Sequence, residues 1–163
     1  MEPWLTKESI TFLDRFFKLN SNTRMLEFGS GNSTQWFAQR VHALVSVDHD
    51  IRWHTQVQEQ CAPYTNVTLY LIQSLYYTLS STFPDNHFDI ILVDGKDRVR
   101  CIQESIRILK PGGILMLDDA ERKKYRPIFE LLKNWPCTIT EENKPNQAGE
   151  LVSSQTVWWV KPQ

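Results

Sequence analysis

Cysteine is scarce in this chain. The three present, Cys61, Cys101 and Cys137, are far apart, and none forms a Cys-x-x-Cys pair. An odd, scattered set argues against a disulfide framework and predicts buried, reduced thiols. The four histidines, His42, His49, His54 and His87, show no zinc-type spacing either. Charge of one sign is also missing: 18 Lys and Arg against 19 Asp and Glu leave a net charge of -1. The whole chain therefore carries no electrostatic bias towards nucleic acid or an anionic membrane. No apolar run approaches the ~18 residues of a membrane helix, and the first residues lack the basic-then-apolar layout of a signal peptide. The expectation is a cytoplasmic protein. No internal repeat, low-complexity tract or linker is visible.

What is present is enough for a core. The 163 residues are 41% hydrophobic, the size and composition of one domain spanning 1–163. Residues 7–18 read as an amphipathic helix within an N-terminal segment 1–20, with Ile10, Leu13, Phe16 and Phe17 on one stripe and Thr6 as cap. Strand and helix then alternate. Strands are expected at Arg24–Phe28, Leu44–Val47, Val67–Ile72, Phe88–Val93 and Ile114–Leu117. Helices are expected at 33–40, 51–60, 98–109 and 121–134, with 75–82 either a short helix or irregular. Lys110-Pro111-Gly112-Gly113 reads as a firm helix stop. Phe88–Val93 is apolar almost throughout, as a strand buried on both faces must be. The rhythm changes at 137–161. Cys137–Glu142 and Thr156–Val160 look like two strands joined by a polar loop, Asn143–Ser154, and so form an antiparallel hairpin. The sum is an α/β fold, doubly wound, with ligands expected at the carboxyl ends of the parallel strands.

Residues 25–34, Met-Leu-Glu-Phe-Gly-Ser-Gly-Asn-Ser-Thr, carry the strongest local signal. An apolar run breaks at Gly29 and Gly31 and enters a segment opened by Asn32, Ser33 and Thr34, all competent caps. That is strand, glycine turn, helix start, where backbone comes close to a ligand. A second apolar run ends in Asp48, where a carboxylate would accept ribose hydroxyls. A helix cap is the competing role for Asp48, and Asp50 contends for that cap.

Three segments together resemble the class I S-adenosylmethionine-dependent methyltransferases. They are Leu26-Glu27-Phe28-Gly29-Ser30-Gly31 with Asp48, then Phe88-Asp89-Ile90-Ile91-Leu92-Val93-Asp94-Gly95, then Leu109-Lys110-Pro111-Gly112-Gly113-Ile114-Leu115. The resemblance implies a Rossmann-like seven-stranded sheet, order 3-2-1-4-5-7-6 with the last strand antiparallel, and helices on both faces. It implies S-adenosylmethionine as cofactor. Gly29, Ser30 and Gly31 would pass beneath its methionine and ribose, with Ser33 standing where the family often has a third glycine and Thr34 beside it. Glu27 would face the ammonium directly or through water. Asp48 would hold the ribose, His49 would cover the adenine, and Gln73 and Ser74 would read it. Asp94 would close the pocket.

Asp94 and the Asp118–Asp119 pair end neighbouring strands, and converging carboxylates invite a hard divalent cation. The pattern resembles the metal-dependent O-methyltransferase subgroup. There, Asp94, Asp118 and Asp119 would hold Mg2+, and Lys96 would take the proton of a substrate hydroxyl. Salt bridges to Lys96, Arg98 and Arg122 are the alternative use of the trio. Arg98 and Arg122 are also placed to bind an anionic group on the acceptor, and Tyr76 and Tyr125 to touch it. The expected partner is a small-molecule methyl acceptor, with no nucleic acid and no membrane. The chain has no inserted cap, so its acceptor site would be open or closed by the N-terminal segment, the 143–154 loop or a second subunit of a homodimer. Two rival readings remain: a catalytically silent cofactor-binding protein or partner subunit, and an NAD(P)-dependent reductase. The reductase lacks its third glycine and a Tyr-x-x-x-Lys pair.

Overall fold

The computed structural model describes residues 2–145 and 148–163. Met1, Asn146 and Gln147, part of the expected N-terminal segment and loop, lie outside the described residues. The chain runs α1 (Lys7–Leu19), β1 (Arg24–Phe28), α2 (Asn32–Ala38), β2 (Ala43–Asp48), α3 (Ile51–Cys61) and β3 (Val67–Leu71). After a 3-10 turn at Tyr76–Thr82 come β4 (Phe88–Val93), α4 (Arg98–Ile108) and β5 (Leu109–Leu117). A second 3-10 turn at Lys123–Tyr125 leads to α5 (Arg126–Leu131), β6 (Cys137–Pro145) and β7 (Leu151–Val160). All seven strands form one sheet in the order β3-β2-β1-β4-β5-β7-β6. β3, β2, β1, β4 and β5 pair in parallel, and β7 runs antiparallel to both β5 and β6. The order, and the reversed seventh strand, are those implied by the sequence.

The apolar run of β4 explains the double layer. Ile91 and Val93 join one buried cluster with Leu26, Phe28, Leu115, Ile102, Ile128 and Trp159. Ile90 and Leu92 join the other with Met25, Leu13, Phe17, Trp36, Phe37 and Trp158. Successive strand residues point to opposite faces, so a strand covered twice must be apolar at every position. No described helix is long and apolar enough to cross a membrane.

Four expectations are corrected. Lys110–Gly113 does follow the end of α4 at Ile108, but the strand expected from Ile114 already begins at Leu109, carried past a register irregularity opposite Phe88–Ile90. Gly112, at φ +75°, makes the bend there, and its N–H bonds Lys161 O at 2.8 Å. The loop expected at 143–154 is mostly strand, with pairing that continues through Asn143↔Ser153 to Pro145↔Leu151. A ribbon whose backbone groups satisfy each other needs no apolar pattern, so polar residues hid it. The helix expected at 121–134 shrinks to Arg126–Leu131, because Pro127 lacks an N–H donor and fits only a helix's first turn. Cys61 and Cys101 are buried thiols, but Cys137, at the start of an edge strand, is exposed.

A buried hydroxyl cluster ties the N-terminus to the hairpin. Thr6 Oγ1 meets Ser9 Oγ and Thr140 Oγ1, each at 2.6 Å, and Thr140 Oγ1 also meets Ser9 Oγ at 2.9 Å. Thr140 donates to Thr156 O at 2.9 Å, and Thr6 N–H donates to Thr156 Oγ1 at 3.1 Å. Phe12 of α1 stacks on Trp158 of β7 at 4.4 Å. Replacing Thr140 with Val keeps the shape and strands buried partners, so it should cost about 1–3 kcal/mol in urea unfolding. A loss below about 0.5 kcal/mol would show that the cluster does not hold the segment.

Candidate functional site

The site lies where the sheet changes direction. From β1 the chain moves outward to β2 and β3, then returns across to β4 and β5, and the β1 and β4 loops diverge at the carboxyl edge. Gly29 has φ +101°, and a Cβ there would lie 2.7 Å from Gly95 N. A Cβ on Gly95 would collide with Tyr76 Oη and lie 3.1 Å from Gly29 Cα. The two loops therefore touch backbone to backbone, and neither tolerates a side chain. Gly31 differs: a Cβ built on it meets nothing within 4 Å. The space beside it is the mouth of a cleft of about 500 Å³. Trp4, Gly29–Ser33, Asp48–Asp50, Trp53 and Asp94–Lys96 line it.

Of the residues singled out in the sequence, Gly29, Ser30, Gly31, Ser33, Asp48, His49, Asp94 and Lys96 line this cleft. Asp48 is not the cap of α3. Asp50 is, accepting from Arg52 N–H at 2.8 Å, while Asp48 Oδ1 accepts from Asp50 N–H at 2.7 Å. Among the described residues no donor reaches Asp48 Oδ2. His49 Nδ1 lies 3.3 Å from Asp48 Oδ1 but is out of line for a hydrogen bond, and is left without a partner.

Four of the expected cofactor-binding residues are off the cleft. Gln73 and Ser74 are exposed, because β3 ends level with β2 (Ile72 N–H to Asp48 O, 2.9 Å) and Leu75, at φ +53°, turns the chain away. Glu27 and Thr34 lie beneath the floor. Glu27 is 0% exposed and accepts hydroxyls from Ser33, from Thr34 at 2.6 Å and from Ser46 at 2.6 Å. Direct contact with a ligand ammonium is therefore closed to it. Ser46 Oγ also meets Ser30 Oγ at 2.7 Å, so both Ser30 and Ser33 connect the cleft floor to the buried carboxylate. Burial pushes the Glu27 carboxyl up to about 7, against the pull of the three hydroxyls and with a smaller push from Asp48.

Beside the cleft, which only Asp94 of the three lines, Asp94, Asp118 and Asp119 each place an oxygen within 4.8 Å of the others. Arg98, 7% exposed, threads this cluster. Its Nη2 lies 3.2 Å from both Asp94 Oδ1 and Asp119 Oδ2, Nη1 donates to Asp118 O at 2.5 Å, and Nε donates to Gly95 O at 2.8 Å. So Arg98 is not free for an acceptor's anion. It is a clamp between the β4 and β5 loops. Arg122 pairs with Asp119 at 2.6 Å, and Asp118 Oδ1 accepts from Thr156 at 2.7 Å. Burial first, then neighbouring carboxylates, raises Asp94 well above the usual carboxylate range. Asp118 rises to about 6, again chiefly through burial. Oxygen donors at this spacing fit a hard divalent cation in kind, with Arg98 and Arg122 competing for the same oxygens.

Tyr76 and Tyr125 are core, not substrate contacts. Tyr76 donates to Lys96 O at 2.5 Å beneath the β4 loop, and Tyr125 underlies the Arg98 guanidinium. Cleft residues to which the sequence assigned no ligand role are Trp4, Asn32, Asp50, Trp53 and Gly95. Gly95 carried a signal, a glycine directly after a strand-ending aspartate. Trp4 carried none.

The fold is the Rossmann-like one seen in solved S-adenosylmethionine-dependent methyltransferases. The chain matches the model of the methyltransferase domain family over residues 26–120 and belongs to that family. It is 37% identical over 57 residues to the ubiquinone/menaquinone biosynthesis C-methyltransferase UbiE of Shewanella woodyi. That match takes in 30% of this chain and only 23% of that enzyme. By fold it is similar to the O-methyltransferase TomG of Streptomyces achromogenes, with TM-score 0.74 and 17% identity, covering 96% of this chain and 81% of that one. It is also similar to an rRNA methylase of Streptococcus thermophilus, with TM-score 0.72 and 13% identity, covering 99% of this chain and 100% of that one. At such identities these two structures speak for the fold alone.

Two predictions follow from the geometry. Gly29→Ala should unfold at markedly lower urea, whereas Gly31→Ala should match wild type in stability and lose cofactor affinity about ten-fold or more by calorimetry. Equal stability of the two variants would contradict the close approach at Gly29. Glu27 sets a pH dependence. Its carboxyl titrates near 7 folded and near 4.5 unfolded, so the folded state binds the extra proton between those values. Stability must fall as pH rises through that window, by about 3 kcal/mol for a shift of this size. Asp94 and Asp118 act in the same direction. The melting temperature of cofactor-free protein should drop from pH 5 to 7.5, and less steeply in Glu27→Gln. A rise over that range would contradict it.

Proposed function

We propose that the chain binds S-adenosylmethionine in the Gly29–Asp48–Asp94 cleft and transfers its methyl group to a hydroxyl of a small, anionic acceptor in the cytoplasm. The single observation that carries the reading is one cleft lined together by Gly31, on which a Cβ would meet nothing, by Asp48 and by Trp53. Asp48 Oδ2 takes a ribose hydroxyl. His49 and Trp53 cover the adenine, and the open side of Gly31 admits the methionine end. Glu27 acts on the ammonium at one remove, by polarising Ser30 and Ser33.

Methyl transfer is an in-line displacement at a carbon already activated by the positive sulfur. The protein's work is to align the nucleophile and keep water out. Lys96, exposed at the acceptor end, pairs with the acceptor oxygen as its proton leaves to water, and Asp94 orients the acceptor. A second reading adds a divalent cation held by Asp94, Asp118 and Asp119, supported by the spacing of their oxygens. Bound there, it would supply Lewis acidity to a substrate hydroxyl. A chain with no net positive charge favours a small acceptor over nucleic acid.

Calorimetry with S-adenosylhomocysteine tests the reading. Wild type should bind at one site and refuse NAD, and Asp48→Ala should lose about 1–2 kcal/mol of affinity. Unchanged affinity would remove Asp48 from the site. In methyl transfer to hydroxylated acids, a loss on adding EDTA supports the cation, and equal rates remove it.

A further inference from the structure

The residues before α1 form a strap whose central side chain has no use inside the fold. Pro3 and Leu5 are buried, while Trp4 between them is 78% exposed. This exposure is not fraying. Lys144 Nζ of β6 donates to Trp4 O, Thr6 N–H donates to Thr156 Oγ1 at 3.1 Å, and Lys7 N–H donates to Glu142 Oε2 at 2.9 Å. The backbone is therefore fixed at residues 4, 6 and 7, and it holds a large aromatic surface in water. Burying such a surface is among the strongest apolar gains a side chain offers.

Trp4 lines the same cleft as the glycine turn and Asp94–Lys96. The strand order says from which side. β2, with Asp48, flanks β1 on one side, and His49 and Trp53 follow it. β4, then β5, β7 and β6, lie on the other, and the strap hangs from β6 and β7. Trp4 thus reaches the cleft from the side opposite the nucleoside end, over the loop that carries Asp94 and Lys96.

We infer that Trp4 is the stacking platform of the acceptor subsite, and that the acceptor is a planar aromatic compound seated between the Trp4 indole and the Asp94–Gly95–Lys96 loop. The inference rests on the proposed function for the location of the donor methyl. A flat, rigid indole gains most from a flat partner, through offset stacking that a puckered ring cannot match. Lys96 at the opposite wall complements an anionic group or a ring hydroxyl about to lose its proton. In transfer, the ring oxygen forms the bond to the methyl carbon as the sulfur–carbon bond breaks. The electron pair returns to sulfur, giving the neutral thioether, and the ring hydroxyl's proton leaves to solvent water while the Lys96 ammonium pairs with the developing ring oxyanion.

The test uses full-length protein, with and without saturating S-adenosylhomocysteine. It is titrated with 4-hydroxybenzoate and with its ring-saturated counterpart, 4-hydroxycyclohexanecarboxylate. Wild type should bind the aromatic acid at least ten-fold more tightly than the saturated one. Trp4→Phe should keep that preference and Trp4→Ala should lose it, with S-adenosylhomocysteine affinity unchanged within about two-fold in both. Wild type binding neither acid, showing no preference, or a preference that survives in Trp4→Ala would each overturn the platform. Failure of S-adenosylhomocysteine to bind would instead strike the cofactor reading, and the titrations without it would then decide Trp4 separately.

Discussion

Backbone meets backbone where β1 and β4 end, and the functional cleft depends on that contact. Gly29 and Gly95 approach so closely that a Cβ on either would overlap the other loop or Tyr76. The approach brings the glycine turn and the Asp94 loop together at the point where the sheet reverses its direction of winding. Asp48, one strand over, then faces the opening. The cleft is thus a consequence of parallel strand order plus two missing side chains, and most of its lining comes from three short loops rather than from any helix face.

Charge beneath and beside the cleft is handled in two ways. Glu27 is enclosed by three hydroxyl donors, and its charge is relayed to the floor through Ser30 and Ser33. Asp94 and Asp119 are instead bridged by Arg98, whose remaining N–H groups hold carbonyls of both loops. The first arrangement leaves a carboxyl with a raised pKa under the binding surface. The second locks the β4 and β5 loops together and leaves the Asp94 carboxyl with a raised pKa at the reacting end. Each costs stability in the empty protein, as strained or desolvated groups at ligand sites commonly do.

Much of this was legible in the sequence because it rests on local chemistry. The apolar run of β4, the glycines after β1 and the acid closing β2 each state their role within a few residues. What failed was non-local. The β6–β7 ribbon is held by cross-strand backbone pairing, which leaves no apolar trace in Asn143–Ser154. Glu27 stands where the family resemblance suggests a ligand contact. Serine at 33, in place of a third glycine, joins Ser46 in capturing its carboxylate, a contact with a residue of the next strand. Arg98 looked free at a helix start, and only the β4–β5 neighbourhood shows it to be consumed. Trp4 belongs to the cleft through anchors on strands more than 130 residues away in the chain.

The claim that one cleft grips both ends of a single sulfonium nucleoside is tested most directly by a crystal structure of the protein grown with S-adenosylhomocysteine. The account predicts the ribose hydroxyls on Asp48, the adenine beside His49 and Trp53, and the amino-acid end over Gly29–Gly31 within reach of Ser30 and Ser33. Electron density that shows the nucleoside elsewhere, or a cleft that stays empty at millimolar ligand, would contradict it.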